Sequence, residues 1–500
     1  MKVTKSLILA SATMFAGVGA QAADLPVKVK PIEYVKVCSL YGVGFYYIPG
    51  TDTCMRIGGY LRIDTTLNGG IQDKPAWNGA LGFGDRTRND FETRSRLGLQ
   101  IDTRTATEYG VVRTFAELLF NFNTDNGLSG TQFFPDALFV QFAGFTIGAS
   151  QSAYSTPWGG FPGNNTSYLV GGHDSYVGLN NIQYQAQFGN GVSATIGLDD
   201  PLSYQRTNLW NLANGLDPIG NGTNAYAGAF MPDVVGNIRI DQAWGLFQVS
   251  GALHEARATY NTIAGTGGLA TPTSILSGHP ETKYGGSAMV ALQIKNIPTG
   301  PGDDIKLDAS WAKGDMKNIY GTASTPQNFA MLGGVPGQFG PNNSIGFGSL
   351  SDGVYLPKAV AFGGVAGDGQ IHLTEGFGIR GAFNHNWDPH WSSALYGGAM
   401  WVRHDAVAKA EWCAAYGATV AGRGVTYTCN PDYSASVLGL LTRWTPVKGL
   451  TFSAEATWFH LNQNFTGSAT FTPGSGQPLQ SWTYHNQDTL SFNVRVQRNF

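Results

Sequence analysis

The sequence predicts an all-β fold, a transmembrane antiparallel β-barrel of about 16 strands with an aqueous interior. Three observations lead there. First, the chain is weakly charged and rich in glycine and aromatics: 13% charged residues, 12% aromatics and 68 glycines in 500 residues. Soluble domains carry roughly 25% charged residues and ~7% glycine. Mean hydropathy is nevertheless only −0.12, and past the leader no apolar run reaches the ~18 residues of a helical span. Second, apolar and polar residues alternate with period two over many short segments, the signature of a strand with two different faces. Third, the connections between those segments alternate short and long. Barrels that cross an outer membrane have short periplasmic turns and longer external loops.

Met1–Ala22 reads as a signal peptide: Lys2 and Lys5, an apolar Leu7–Val18, then Ala20-Gln21-Ala22 at the cleavage site. The alternative, an amino-terminal anchor, fits less well, because the apolar part is short and mixed with Ser and Thr. Without Lys2 and Lys5, 29 basic residues face 34 acidic ones, a net charge of −5, which argues against a nucleic-acid partner. Residues 23–52 carry Pro26, Pro31, Pro49 and Cys38 and are expected to form an irregular periplasmic-side segment before a barrel over 53–500. Cysteines occur as two local pairs with equal spacing, Cys38/Cys54 and Cys413/Cys429. In an exported chain that pattern predicts two disulfides. The alternative is metal ligation, but there is no CxxC and no nearby histidine pair, so no metal or cofactor is expected.

Strands are expected near 53–66, 93–102, 109–120, 136–143, 145–152, 179–188, 192–199, 234–241, 246–255, 282–295, 304–313, 371–385, 391–404, 433–444, 450–461 and 489–500. The last is the clearest. Leu490, Phe492, Val494 and Val496 share one face, and Ser491, Asn493, Arg495 and Gln497 share the other. A terminal strand gains a partner on both edges only if the sheet closes. Segments 136–152 and 391–404 alternate poorly. Short turns are expected at 103–108, 144, 189–191, 242–245, 296–303, 388–390 and 445–449. Long loops are expected at 67–92, 121–135, 153–178, 200–233, 256–281, 314–370, 405–432 and 462–488. This count places both Ala23 and Phe500 on the periplasmic side. An Arg or Lys at mid-bilayer costs roughly 2–4 kcal/mol, so the apolar faces must meet lipid and the polar faces the lumen. Arg498 breaks the rule only at the membrane edge.

Particular residues then carry a resemblance. Ala23-Asp24-Leu25-Pro26, Val37-Cys38, Tyr46-Tyr47-Ile48-Pro49-Gly50-Thr51, Cys54 and Gly59-Tyr60-Leu61-Arg62 are similar to the opening of the general porins of alphaproteobacteria, the rhizobial type. Thr107-Glu108-Tyr109-Gly110 with Arg113, Gly189-Asn190-Gly191 and Phe500 extend the likeness. The resemblance implies a homotrimer of barrels in the outer membrane, among lipid and lipopolysaccharide, each with a pore for small hydrophilic solutes. It also implies that the third long loop, about 153–178, folds into the lumen and narrows it.

That loop carries Trp158, Tyr168, His173, Asp174 and Tyr176. Opposite it, the first strands present Arg56, Arg62, Arg94, Arg96 and Arg113 inward. An acidic loop facing a basic wall sets up a transverse field at the constriction. The plainer reading makes these arginines ordinary lumen residues balanced by Glu92, Asp102 and Glu117. Asp174 is the loop's only carboxylate, so the field is expected to be weak and the channel near neutral or mildly anion-preferring. Selectivity is set by charge at the narrow part, not by the total. His372 and Glu375, three apart on an expected strand, fall on opposite faces and form no joint site. His254 and His460 are expected to be lumen or rim groups. Trp311, Trp387, Trp444 and Trp458 are expected in the interface girdle, with sugar stacking as the alternative. No G-x-S-x-G, P-loop or H-E-x-x-H occurs, and no catalysis is expected.

Overall fold

The computed structural model describes residues 36–69, 89–124, 132–164, 169–173, 178–201, 207–263, 270–320, 329–335, 337, 339–420, 426–474 and 477–500. The leader and Asp174 lie outside them, as do Tyr168 and Tyr176. The barrel strands are β1 (Thr53–Leu67), β2 (Phe91–Thr107), β3 (Gly110–Asn123), β4 (Gln132–Phe142), β5 (Phe145–Ser150), β6 (Leu179–Gly189), β7 (Val192–Asp199) and β8 (Asp233–Gln242). They continue as β9 (Gly245–Ala256), β10 (Lys283–Lys295), β11 (Asp304–Lys313), β12 (Glu375–Asn386), β13 (Trp391–Arg403), β14 (Tyr433–Val447), β15 (Leu450–Gln463) and β16 (Gln487–Asn499). Each pairs antiparallel with the next, and β16 returns to β1 from Tyr60↔Asn499 to Leu67↔Phe492. Gly59 and Phe500 exchange two backbone hydrogen bonds of 3.1 and 3.0 Å at the seam. Closure leaves no barrel edge to be protected from water or lipid.

Three boundaries differ from expectation by four residues or more: β4 begins at Gln132, β2 runs on to Thr107 through most of the expected turn at 103–108, and the twelfth strand starts late. The twelfth strand begins at Glu375, and His372 belongs to a separate two-residue strand in the preceding loop. Glu375 instead accepts a hydrogen bond from Trp311 Nε1, 2.9 Å away.

The short connections follow local chemistry. Asn190 (φ 50°) and Gly191 (φ 73°) both occupy the left-handed region, as a two-residue hairpin between right-twisted strands demands. A Cβ on Gly191 would stand 1.9 Å from the Asp241 carbonyl oxygen, so only glycine fits beside the adjacent hairpin.

Outward residues give the membrane band. Ile57, Leu61, Ile63, Ile182, Ile196, Ile238, Leu395, Leu440 and Val494 are all exposed. Aromatics bracket them at two levels. Trp391 and Trp401 lie on one strand, both exposed; ten residues at ~3.3 Å, tilted ~40°, separate them by ~25 Å along the membrane normal. Trp387 and Trp444 mark the lower level with Trp391, and Trp311 and Trp458 mark the upper with Trp401, as a girdle requires.

The inward faces depart from a uniformly polar lining. On β12 to β15, Ala382, Tyr396, Met400, Val402, Ala435, Val437, Phe459 and Leu461 point inward and are buried. Their cover comes from loops L3 (151–178) and L6 (314–374), which supply Phe161, Leu169, Val170, Met316, Ile319, Tyr320, Phe329, Met331 and Leu350 to the same cluster. Phe329 stacks on Phe459 with ring centres 5.6 Å apart. Over these stretches both faces of the strands are apolar, one for lipid and one for loop.

Outside the barrel stands a cap with a core of its own. It draws Trp210, Leu212 and Leu216 from L4 (200–232), and Ile345, Phe347, Val354 and Leu356 from L6. Trp412, Tyr416 and Val420 come from L7 (404–432), with Phe465, Phe471, Trp482 and Tyr484 from L8 (464–486). The L7 helix, Ala406–Val420, buries Ala408, Trp412, Tyr416 and Val420 at a spacing of four, one face of an α-helix. Asp405 caps it by accepting from Ala408 N at 2.8 Å. Two small sheets of four and five strands frame this core. The disulfide Cys413–Cys429 closes L7, and Cys38–Cys54 ties the amino-terminal segment to β1, each across 16 residues.

Candidate functional site: the lumen

Period-two geometry puts Arg56, Arg62, Asp64, Glu92, Arg94, Arg96, Asp102, Arg104, Arg113, Glu117 and Arg495 on one continuous inner wall, β16–β1–β2–β3. Register then decides which groups meet. Asp64 lies across from Arg94 on β2 and from Arg495 on β16. It holds both, with Oδ2 2.5 Å from Arg94 Nη2 and Oδ1 2.6 Å from Arg495 Nε. Nearer the periplasm, Asp102 takes Arg104 at 3.0 Å and Arg113 at 3.0 Å. Arg96 Nε donates to Asn121 Oδ1 at 2.6 Å. Arg62 Nε donates to Gln497 Oε1 at 2.8 Å and lies over the Tyr60 ring. Arg56 lies over Phe45. Glu117 is buried across from Gln100.

Seven arginines thus share this wall with four carboxylates, Asp64, Glu92, Asp102 and Glu117, and the wall is net cationic. The five expected arginines are not equivalent. Arg94 and Arg96 are buried, whereas Arg56, Arg62 and Arg113 remain partly exposed. Of the expected balancing acids, Asp102 pairs with Arg113, while Arg94 is neutralised by Asp64. Asp64 and Arg495 are legible from alternation but are not in the expected set, and Arg104 falls in an expected turn that is strand.

L3 does enter the barrel. Its chain leaves β5 and crosses to β8 and β9, where Asn237 Nδ2 donates to Ala153 O at 2.6 Å and Gln248 Nε2 to Ser155 O at 2.8 Å. Tyr154 packs on Val235, Met289 and Ala291. L3 then reaches β14 to β16. Arg443 donates to Pro162 O, Asn164 N donates to Glu455 Oε1 at 2.8 Å, and Arg495 Nη2 donates to Asn164 O at 2.9 Å. At Gly171 (φ +104°) the loop presses on β12 and β13. A Cβ there would stand 2.6 Å from Ala399 O and 2.7 Å from Ile379 O. Trp158 is half-buried between two wall clusters. His173 is buried, with Nδ1 3.2 Å from Ser155 Oγ. Among the described residues of L3, Asn164 meets the basic wall, through Arg495.

Among the described residues, two cavities with polar groups in their walls lie on the side that L3 and L6 leave free. One of about 410 Å³ at the periplasmic end is lined by Tyr41, Arg104, Arg113, Gln141, Thr146 and Gln185. The other, of about 200 Å³ beneath L3, shares Gln141, Thr146 and Gln185 and adds Ser155, Asn237 and Gln248.

His254 is not at the rim. It is buried, Nδ1 2.6 Å from Asp233 and Nε2 3.0 Å from the Tyr226 hydroxyl. Lys317 inserts between Asp233 and Asp315. Burial opposes the charge on Lys317, but these carboxylates outweigh it and raise the ammonium's pKa. His460 does sit at the external rim, bonded to Asp488 at 2.8 Å.

A closed barrel with an apolar outer band, two aromatic levels, a polar inner wall and an inward-folded third loop is an outer-membrane barrel of the porin class. The chain belongs to the family described as the Porin subfamily, whose model matches residues 24–493. It is 34% identical over 257 residues to Porin Omp2b of Brucella abortus (strain 2308), spanning 48% of this chain and 63% of that porin. Porin Omp2b of Brucella suis biovar 1 (strain 1330) is 35% identical over the same shares. The chain thus matches somewhat under two thirds of these relatives' length. Among solved structures, the outer membrane channel DcaP of Acinetobacter baumannii aligns with TM-score 0.55 and 13% identity, covering 91% of this chain and 99% of that one. This likeness supports the barrel fold.

Proposed function

We propose that the protein is a passive outer-membrane pore for ions and small hydrophilic solutes, assembled as a homotrimer among lipid and lipopolysaccharide, with no catalytic role. The observation that carries it is the run of polar groups from Arg104 and Arg113 through Gln141 and Gln185 to Asn237 and Gln248. This run adjoins both cavities on the side that the loops leave open. L3 is the constriction, and the free route is off-centre, along β1 to β9. Arg56, Arg62 and Arg113 give that route a cationic wall, which favours mild anion preference.

A second reading, a substrate-selective channel for anions or sugars, is favoured by the crowding that L3 and L6 impose. Single-channel recording of the refolded protein under a salt gradient separates the two. The pore reading expects conductance linear in salt, closure in three steps and a reversal potential of anionic sign. Saturation, or block by one solute class, supports the selective channel. A correctly folded barrel with no conductance overturns both.

A further inference from the structure

The external cap contains a cluster that the pore does not use. Asp368 and His372 lie at the end of L6, and Glu411 lies on the L7 helix. One donor atom from each lies within 4.8 Å of the others. We propose that Asp368, His372 and Glu411 form a binding site for a first-row divalent cation of the zinc type, joining L6 to the L7 helix.

Three features argue for it. The imidazole is oriented as a metal ligand's would be. Its Nδ1 meets Asp405 Oδ2 at 3.0 Å, and its Nε2 faces the other two carboxylates, 3.0 Å from Asp368 Oδ2. Asp405 takes the proton on the far nitrogen, and an arriving cation displaces the hydrogen bond that Nε2 makes with Asp368, turning both into ligands. The second feature is Glu411. Its side chain is 1% exposed, and its oxygens accept only the backbone N–H groups of Asp368 at 3.0 Å and Leu356 at 3.1 Å. Among the described residues, no Lys or Arg nitrogen comes within 4.0 Å of Asp368, Asp405 or Glu411. A carboxylate buried that deeply calls for a positive charge.

The third feature is a contrast within the molecule. The other three-residue cluster of this kind, Asp233–His254–Asp315, already holds a cation, the Lys317 ammonium. The cap cluster holds no such ammonium. Its openness also differs: Asp368 is 38% exposed and His372 14%, so an ion can enter from outside.

The ligand chemistry selects the ion. Two carboxylates and one imidazole suit zinc, with a fourth position left for water, whereas calcium takes oxygen ligands throughout. Tetrahedral donors at ~2.0–2.2 Å from zinc stand about 3.5 Å apart, so His372 Nε2 and Asp368 Oδ2, now 3.0 Å apart, must part slightly to take the ion between them. Because the ligands come from two loops, the bound ion is a cross-link between them.

The test uses the full refolded protein, stripped with EDTA and titrated calorimetrically with ZnCl2. The expected result is one zinc per chain, with a Co2+ derivative showing tetrahedral visible absorption bands. His372→Ala and the surface substitution Asp368→Asn each reduce affinity at least tenfold. Asp405→Asn, acting only through the imidazole, reduces it about 10–100-fold. Circular dichroism confirms that each variant retains the barrel. Absence of zinc binding by the wild type, unchanged affinity in both His372→Ala and Asp368→Asn, or equal binding of Ca2+ overturns the proposal.

Discussion

Asp64 is the residue on which the basic wall turns. It touches two arginines at once and is itself 1% exposed. Asp64→Asn leaves Arg94 and Arg495 buried with one counter-charge fewer, and breaking such a pair costs about 3–5 kcal/mol. Urea unfolding in detergent should register that loss, and the reversal potential should move further toward anions. Asp432 makes a different case, outside the membrane, at the end of L7. Burial pushes its carboxyl up, but hydrogen bonds from His404 and Lys409 hold it below the usual carboxylate range. A depressed carboxylate stabilises above its unfolded pKa and ceases to do so as pH falls through the folded value. Asp432→Asn should therefore cost about 1–3 kcal/mol at pH 7. The gap from wild type should shrink toward pH 3, as read by tryptophan fluorescence in urea.

At the scale of elements, L3 depends on a backbone position rather than on its side-chain chemistry. Gly171→Ala places a methyl against two wall carbonyls at a φ that L-residues resist. L3 should lift from β12 and β13, and single-channel conductance should rise or become noisy; unchanged traces would remove L3 as the constriction. For the L7 helix, replacing Cys413 and Cys429 together with alanine frees a closed loop of 16 residues, worth about 3 kcal/mol. Protease should then nick L7 faster while the barrel's conductance holds.

How much was legible also sorts by element. β16 read cleanly because lipid lies on one side and arginine, asparagine and glutamine on the other. The run 391–404 blurred because β13 is apolar on both sides: Leu395 and Trp401 face lipid, while Tyr396, Met400 and Val402 face L3 and L6. The run 136–152 blurred for a related reason. Phe139 points inward to stack on Phe115, and the register slips at Glu117/Leu118. Alternation reports the contrast between two faces and falls silent when both are dry. His372 was misplaced because a two-residue loop strand, His372–Leu373, runs almost directly into β12. The basic wall was readable as a set of inward positions, but its pairing was not, since Asp64 meets Arg495 across 431 residues of sequence.

For the whole molecule, the long loops are two structures rather than one. Inside, L3 and L6 pack the half of the lumen bounded by β12 to β15 and leave the other half polar. Outside, four loops pool their aromatics. Composition gave no sign of this division, because Trp412, Phe465 and Trp482 resemble girdle residues until their partners are known. The loops from 200 onward were expected only by length and position.

That pooled core has a consequence for how the exterior can change. Phe347 of L6 lies against Trp412 and Tyr416 of L7, and against Phe465 and Tyr484 of L8. A substitution at this junction in one loop is thus felt in the other two, and shortening any single loop uncovers aromatic surface on its neighbours. The outer face of the cap therefore behaves as one block, open to change piecemeal only at its rim.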